Sequence, residues 1–355
     1  MLFLGLIALN IKYRNPKNDS DSFNMSDCQR KIAAISKGVN KLNDVIDWEM
    51  FRKELESLLG YSKRDVSKGG RPPFDPVLMF KILVLQKYYG LSDDQTEFQI
   101  KDRFSFMEFL GLQAGDSVPD AKTIWDFKQL LEKDGREGGR KLFENFTQYL
   151  ESQALIAREG SIIDASFVDA PRQRNSRAEN AQIKAGEPPE GFEENTPKGR
   201  QKDVDARWVK QNDETHYGYK NHAKVDAKSK LVLDYSSTTA TVHDSQVFEQ
   251  PINEQDPAVF ADSAYFSESS LEHLLKNDCQ DFILFKASGG NPLSEEELVS
   301  NKLRSPIRVR CEHVFGRMSQ MAMDKLRSIG LLRANLHIGL SNLVYNMDRY
   351  AFLCK

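Results

Sequence analysis

The stretch SIIDASFVDAPRQR, residues 161–174, sets two aspartates into an otherwise apolar run that reads as a strand. A carboxylate in such a place is costly unless a counter-charge or a metal ion accompanies it. Strand side chains alternate faces, so Asp164 and Asp169, an odd number of residues apart, point to opposite sides. Asp164 follows Ile162 and Ile163 in the middle of the run and is the anomaly. Asp169 lies at its end beside Pro171, where capping the strand or facing solvent accounts for it. Asp262 follows the same grammar in AVFADSAYFS, closing a short apolar strand just where the chain turns towards a helix. Ligand sites of open α/β sheets gather at such strand ends, although a capping aspartate would sit there too.

A third carboxylate lies in SPIRVRCEHVFGRMSQMAM. Ser305 as N-cap and Pro306 at the first helical position predict a helix beginning there. Its apolar face would be Ile307, Cys311, Val314, Phe315, Met318 and Ala322, with Arg308, Glu312 and Ser319 in a stripe along the edge. A surface Arg–Glu pair is the plain reading of Arg308 and Glu312; a carboxylate leaning over a neighbouring strand is the functional one. Local charge favours the second. Between residues 301 and 333, Lys302, Arg304, Arg308, Arg310, Arg317, Lys325, Arg327 and Arg333 stand against Glu312 and Asp324, in a chain whose net charge is −3. A solvated helix face has no need of that imbalance, whereas a polyanion site does. Three hard oxygen ligands in phosphate-binding surroundings suit Mg²⁺, with Mn²⁺ able to substitute. Two such ions, about 4 Å apart, would activate a water or a 3′-hydroxyl and stabilise the departing oxygen.

Two sets of elements must position these residues. Residues 30–150 read as helical. NKLNDVIDWEMFRKELESLL has helical apolar spacing, Asp75 and Pro76 open a second helix that Gly90 closes, SDDQ is a capping box for a third, and Asp120 caps a fourth. Short helices with tight turns suit a helix-turn-helix-like DNA-binding unit, and equally a plain bundle. From residue 158 to 355 strands and helices alternate: three strands, a short helix at DSQVFEQPI, a strand, a helix, a strand and two closing helices. This order predicts an α/β fold, a mixed five-stranded sheet flanked by helices and preceded by an all-α domain. The polar, Glu-, Pro- and Gly-rich stretch at about 171–214 reads as a long mobile insertion.

The apolar start MLFLGLIALNI has no basic n-region and is well short of the roughly 20 residues of a membrane span. Residues 1–29 are therefore expected to be a non-native or disordered extension, with no membrane association. Cys28, Cys279, Cys311 and Cys354 show no C-x-x-C spacing, which fits a reducing, cytoplasmic setting. His216, His222 and His243 match no structural zinc pattern. Trp125 reads as core.

The ordered blocks IIDASFVDAPRQRNSRAENAQIKAG, HYGYKNHAKVD, VHDS, ADSAY and RVRCEHVFGRM resemble the DDE transposases of bacterial insertion sequences, most closely the insertion-sequence group numbered five. GRPPFDPVLMFKILVLQKYYGLSDDQTEFQIKDRFSFMEFLGL with VPDAKTIWDF resembles that group's N-terminal domain, so the likeness spans about residues 42–350. It implies a ribonuclease-H-like catalytic domain in which Asp164, Asp262 and Glu312 bind two Mg²⁺ ions, with Asp164 bridging them and Arg308 holding a phosphate. It also implies a helical domain that recognises terminal inverted repeats in double-stranded DNA, and a homodimer or higher synaptic complex on DNA. Candidate DNA contacts are Arg308, Arg310, Arg317, Lys325, Lys220, His222 and Arg71. The family's signature places a tyrosine where Ser305 stands and a basic residue where Ser319 stands. Two alternatives stay open: a same-fold nuclease without strand transfer, and a catalytically inactive DNA-binding relative.

Overall fold

The computed structural model describes residues 38–61, 72–187, 189–193, 196–211, 213–287 and 292–355. The expected N-terminal extension and the candidate contact Arg71 lie outside these residues.

The N-terminal part is helical, and its capping residues set the boundaries. The run expected as one helix up to Leu59 is divided instead. Two 3₁₀ turns, Val39–Leu42 and Trp48–Phe51, precede α1 (Arg52–Leu59). Asp47 accepts from the Glu49 amide and starts the second turn, which uncouples it from the first. Helix α2 (Pro76–Tyr88) begins where Asp75 accepts from the Val77 and Leu78 amides, 2.9 and 3.0 Å away. It is apolar almost all round and correspondingly buried, as a central helix must be. Around it lie α3 (Asp93–Asp102), α4 (Phe104–Leu110), α5 (Ala121–Glu132) and α6 (Gly138–Ser152), with Ser92 capping α3 and Asp120 capping α5.

The sheet begins with β1 (Ser161–Asp169). It continues through β2 (Arg207–Gln211), β3 (Glu214–Asp226), β4 (Val232–Thr239), β5 (Ala258–Ala261) and β6 (Gln280–Ile283). Strand β3 is the long spine. It pairs antiparallel with β1 on one edge, with β4 on the other, and with β2 through its first residues. Strands β5 and β6 then extend the sheet parallel to β1. Six strands replace the five expected, because β2 and helix α7 (Arg177–Ala185) fold out of the stretch read as a mobile insertion. Asp203, buried in that stretch, explains its order: it accepts from the Tyr219 hydroxyl at 2.9 Å and from the Gly330 amide at 2.9 Å. The connection DSQVFEQPI, expected as a helix, keeps only a 3₁₀ turn at Asp244–Gln246, capped by the His243 side chain.

Helix α8 (Glu268–Lys276) joins β5 to β6. The chain then closes with α9 (Glu295–Arg308), α10 (Arg310–Gln320) and α11 (Leu331–Leu353). No helix starts at Ser305. Ser294 and Glu297 form the capping box of α9, and Pro306 falls inside its last turn. Proline has no amide to donate, the Ser305 hydroxyl bonds back to the Asn301 carbonyl, and the axis breaks at Val309. Helix α11 packs on α6, α2 and β4, so one hydrophobic cluster runs from Leu42 in the helical part to Tyr350 at the end. None of the described helices is long and apolar enough to cross a membrane.

Candidate active site

Register sets the geometry. Ile163 of β1 stands beside Ala261 of β5, so the next residues, Asp164 and Asp262, leave neighbouring parallel strands at the same level. Asp164 Oδ1 accepts from the Ala165 amide at 2.9 Å, and Asp262 Oδ1 from the Ser263 amide at 2.6 Å, which caps the 3₁₀ turn Ser263–Tyr265. Beyond the α9–α10 break, Arg308 reaches back over the strand. Its Nη1 lies 3.2 Å from Asp164 Oδ2, and its Nη2 pairs with Glu312 Oε1. The break places Arg308 on the last turn of one helix and Glu312 on the first turn of the next, with Arg308 bridging from Glu312 to Asp164 on β1.

The Asp164 side chain is 19% exposed. Burial pushes its carboxyl up to about 6, against the opposing pull of the Ala165 amide and Arg308, and the charges of Asp262 and Asp244 push in the same direction as burial. Burial, a second carboxylate and a guanidinium therefore all act on this one acid. Directly beneath, Cys311 is fully buried, and burial holds its thiol well above the ordinary range, which removes it as a nucleophile.

The structure thus brings Asp164, Asp262, Arg308 and Glu312 together. Among the described residues, no three Asp, Glu, His or Cys side chains already converge as a ligand set. Arg308 occupies the position between Asp164 and Glu312, so a centre of positive charge is already built in there. The donors are all carboxylate oxygens, the chemistry that Mg²⁺ and Mn²⁺ prefer.

The other expected contacts are dispersed. Lys220 and His222 pair across from Phe167 and Ala165, so they lie on the sheet face opposite Asp164. Both are buried, 6% and 5% exposed, with their polar atoms turned towards Asp244 and Thr238; the expectation that they face DNA is corrected. Burial also pushes the His222 imidazole down to about 4. Arg310 donates to the Ala227 carbonyl and Arg317 pairs with Asp348 at 2.9 Å. Lys325 is exposed, one residue beyond Asp324, whose carboxylate accepts from the Ser319 hydroxyl at 2.7 Å.

The fold joins part of the basic stretch 301–333 to residues that no sequence pattern connects with it. A cleft of about 1220 Å³ opens between the helical part, the α7–β2 excursion and the chain after α10. Lys128, Arg200, Lys202, Lys325, Arg327 and Arg333 line it, against Asp93, Asp94 and Asp205. Trp125, expected in the core, lies 39% exposed on its wall, with Lys122 Nζ 3.9 Å from the ring centre. These basic residues are far apart in sequence, so only the fold reveals the patch.

Comparison with known families matches residues 156–347, which include Asp164, Asp262 and Glu312, to the Transposase DDE domain. The chain belongs to this transposase family. The helical part agrees, since residues 28–130 match the Transposase domain (DUF772). Among solved structures, this transposase is similar to the piggyBac transposase in a synaptic complex with hairpin DNA. The two are 11% identical with a TM-score of 0.45, over 89% of this chain and 74% of that one.

Proposed function

We propose that this transposase belongs to the insertion-sequence group numbered five. In this reading it binds the terminal inverted repeats of its element, hydrolyses the phosphodiester bonds at the ends and joins the freed 3′-hydroxyls to target DNA. The observation that carries the reading is the level placement of Asp164 and Asp262 on neighbouring parallel strands, with Arg308 and Glu312 laid over them. The order β4–β3–β1–β5–β6, antiparallel then parallel, is the one expected of a ribonuclease-H-like sheet.

Asp164, Asp262 and Glu312 would hold two Mg²⁺ ions, or Mn²⁺ in their place. When bound, such ions polarise the attacking oxygen and neutralise the leaving one. The protein's own part is to position and to balance charge. Asp164, with its carboxyl pushed up to about 6, carries most of its negative charge at neutral pH. Arg308 neutralises Asp164 and Glu312 in the free protein and stands ready to take a phosphate oxygen once they have another counter-ion. The basic cleft supplies a path for the DNA backbone, with Lys325 and Arg327 exposed on it. Two ends must be cut together, so a homodimer or larger assembly forms on DNA.

The test is a Mg²⁺-dependent reaction of the purified protein with DNA carrying the gene's own flanking repeats. The reading expects cleavage at the repeat ends and a joined product, both abolished by Asp164→Asn or Asp262→Asn. Cleavage without joining would show a nuclease. Repeat binding without cleavage would show an inactive relative, a reading that the Ser319–Asp324 hydrogen bond favours because Ser319 stands where the family has a basic residue. If both Asp variants cleaved like the wild type, the site assignment would be wrong.

A further inference from the structure

Lys220, His222 and Lys224 alternate along one face of β3, and each is 6% exposed or less. Buried cations need partners, and here the partners come from the connection between β4 and β5. Lys224 Nζ lies 2.6 Å from Asp256 Oδ2 and 2.9 Å from the Pro251 carbonyl. Lys220 Nζ lies 2.8 Å from Asp244 Oδ1 and 3.0 Å from the Val242 carbonyl. Two ion pairs, one buried on both sides and one joining buried Lys220 to the half-buried Asp244, therefore pin the two ends of the segment that leads into β5 and Asp262.

Their surroundings differ. The Lys224–Asp256 pair lies at the start of β5, six residues before Asp262, which is about 20 Å away along an extended chain. The Lys220–Asp244 pair lies at the active-site end. The 3₁₀ turn Asp244–Gln246 packs against the turn Ser263–Tyr265, whose first amide is held by the Asp262 carboxylate. Few polar contacts secure this junction. Tyr265 packs its ring 5.4 Å from that of Phe248, but its hydroxyl and His222 Nδ1 have no hydrogen-bond partner. Both residues line one small cavity with Asp244, and the nearest approach of His222 Nδ1 to Asp244 Oδ1 is 3.8 Å. Lys220 is what fixes the Asp244 turn in place. The influence reaches the site itself, because the Asp244 charge acts on both Asp164 and Tyr265.

We propose that Lys220 and Asp244 are positioning residues for the Asp164–Asp262 pair: their ion pair, buried on the lysine side, holds the turn against which the Asp262 turn is set. Neither touches DNA or the reacting atoms. The proposal rests on reading Asp164, Asp262 and Glu312 as a divalent-cation site, and the experiment separates the two. Mn²⁺ binding to the full chain is measured without DNA, from the paramagnetic resonance signal of free Mn²⁺. Wild type, Asp164→Asn, Asp244→Asn, Asp244→Glu and Lys224→Met are compared, with thermal melting of each.

Wild type is expected to bind and Asp164→Asn to lose binding. Asp244→Asn is expected to weaken binding about 10-fold, the loss typical of removing a group that orients metal ligands. Affinity for repeat DNA in EDTA should not change. Asp244→Glu keeps the pair and the charge while moving the turn by one methylene. It should show a smaller loss, and it keeps the test decisive if Asp244→Asn does not fold. Lys224→Met breaks a pair of the same kind at the far end and should bind Mn²⁺ as wild type does. Equal Mn²⁺ affinity in wild type and both Asp244 variants would overturn the proposal, as would an equal loss in Lys224→Met. Equal affinity in wild type and Asp164→Asn would overturn the cation-site reading and the proposal with it.

Discussion

Asp164 is a carboxylate that the fold holds at a cost, so Asp164→Asn should make the metal-free protein more stable. Burial raises the Asp164 carboxyl from 3.8 to about 6. A raised acid binds its proton more tightly in the folded state than in the unfolded one. The contribution of Asp164 to stability is therefore greatest below about pH 4 and falls as pH rises through 6. A shift of about two units, at 1.36 kcal/mol each, is a penalty of about 3 kcal/mol at pH 8. The pull of Arg308 is already contained in that shift, so the uncharged asparagine, which avoids the penalty, gains up to about 3 kcal/mol at pH 8 and nothing towards pH 4. Urea unfolding in EDTA, followed by the fluorescence of the three tryptophans, measures it at pH 4.5, 6 and 8. A destabilised asparagine variant at pH 8, or the same difference at every pH, would refute the argument.

Mg²⁺ should reverse that order: an ion that binds only the folded state stabilises it by mass action, so millimolar Mg²⁺ raises the melting temperature of the wild type and leaves Asp164→Asn unmoved. Arg308→Ala removes the guanidinium from two carboxylates, one of them buried. It should cost about 1–3 kcal/mol at pH 8 in EDTA, read by the same unfolding assay, with less loss at pH 4.5, where Asp164 is protonated. Gly218 faces Asp169 across the β1–β3 ladder at φ +153°, and an added Cβ would meet the Val168 carbonyl oxygen at 2.3 Å. Gly218→Ala should therefore destabilise by about 3 kcal/mol in thermal melting, since no side-chain movement relieves a backbone contact.

The neighbouring carboxylates Asp164 and Asp262 were legible because their signals are local. Ile162 and Ile163 before Asp164, and a short apolar run before Asp262, locate a strand interior and a strand end from a few residues each. What failed was long-range. The Ser305–Pro306 signal for a helix start is written the same way whether it opens a helix or interrupts one, and only the Ser294–Glu297 capping box upstream decides. Strand β2 carries only two apolar residues, Trp208 and Val209, on opposite faces, and forms because β3 offers it an edge. Period two placed Lys220 and His222 on one face of β3 but could not say which. The segment from 242 to 256 that buries them is brought there by contacts no local pattern encodes. The basic cleft was invisible for the same reason, as its residues come from three separate parts of the chain.

Arg308 bears on how the neighbouring carboxylates are kept folded together in the free protein. Asp164 and Asp262 are brought to one level by strand register, and two like charges on adjacent interior strands repel. Two features relieve this in the free protein. The raised carboxyl lets Asp164 take up a proton near pH 6, and Arg308 lends a positive charge to Asp164 and Glu312 at once. An incoming divalent cation then competes with both a proton and a guanidinium. Its apparent affinity should rise with pH through about 6 and level off above, with Arg308→Ala shifting the whole curve to tighter binding if that variant keeps its fold. Mn²⁺ titrations between pH 5 and 8 measure the curve, and a pH-independent affinity would show that Asp164 is not among the ligands.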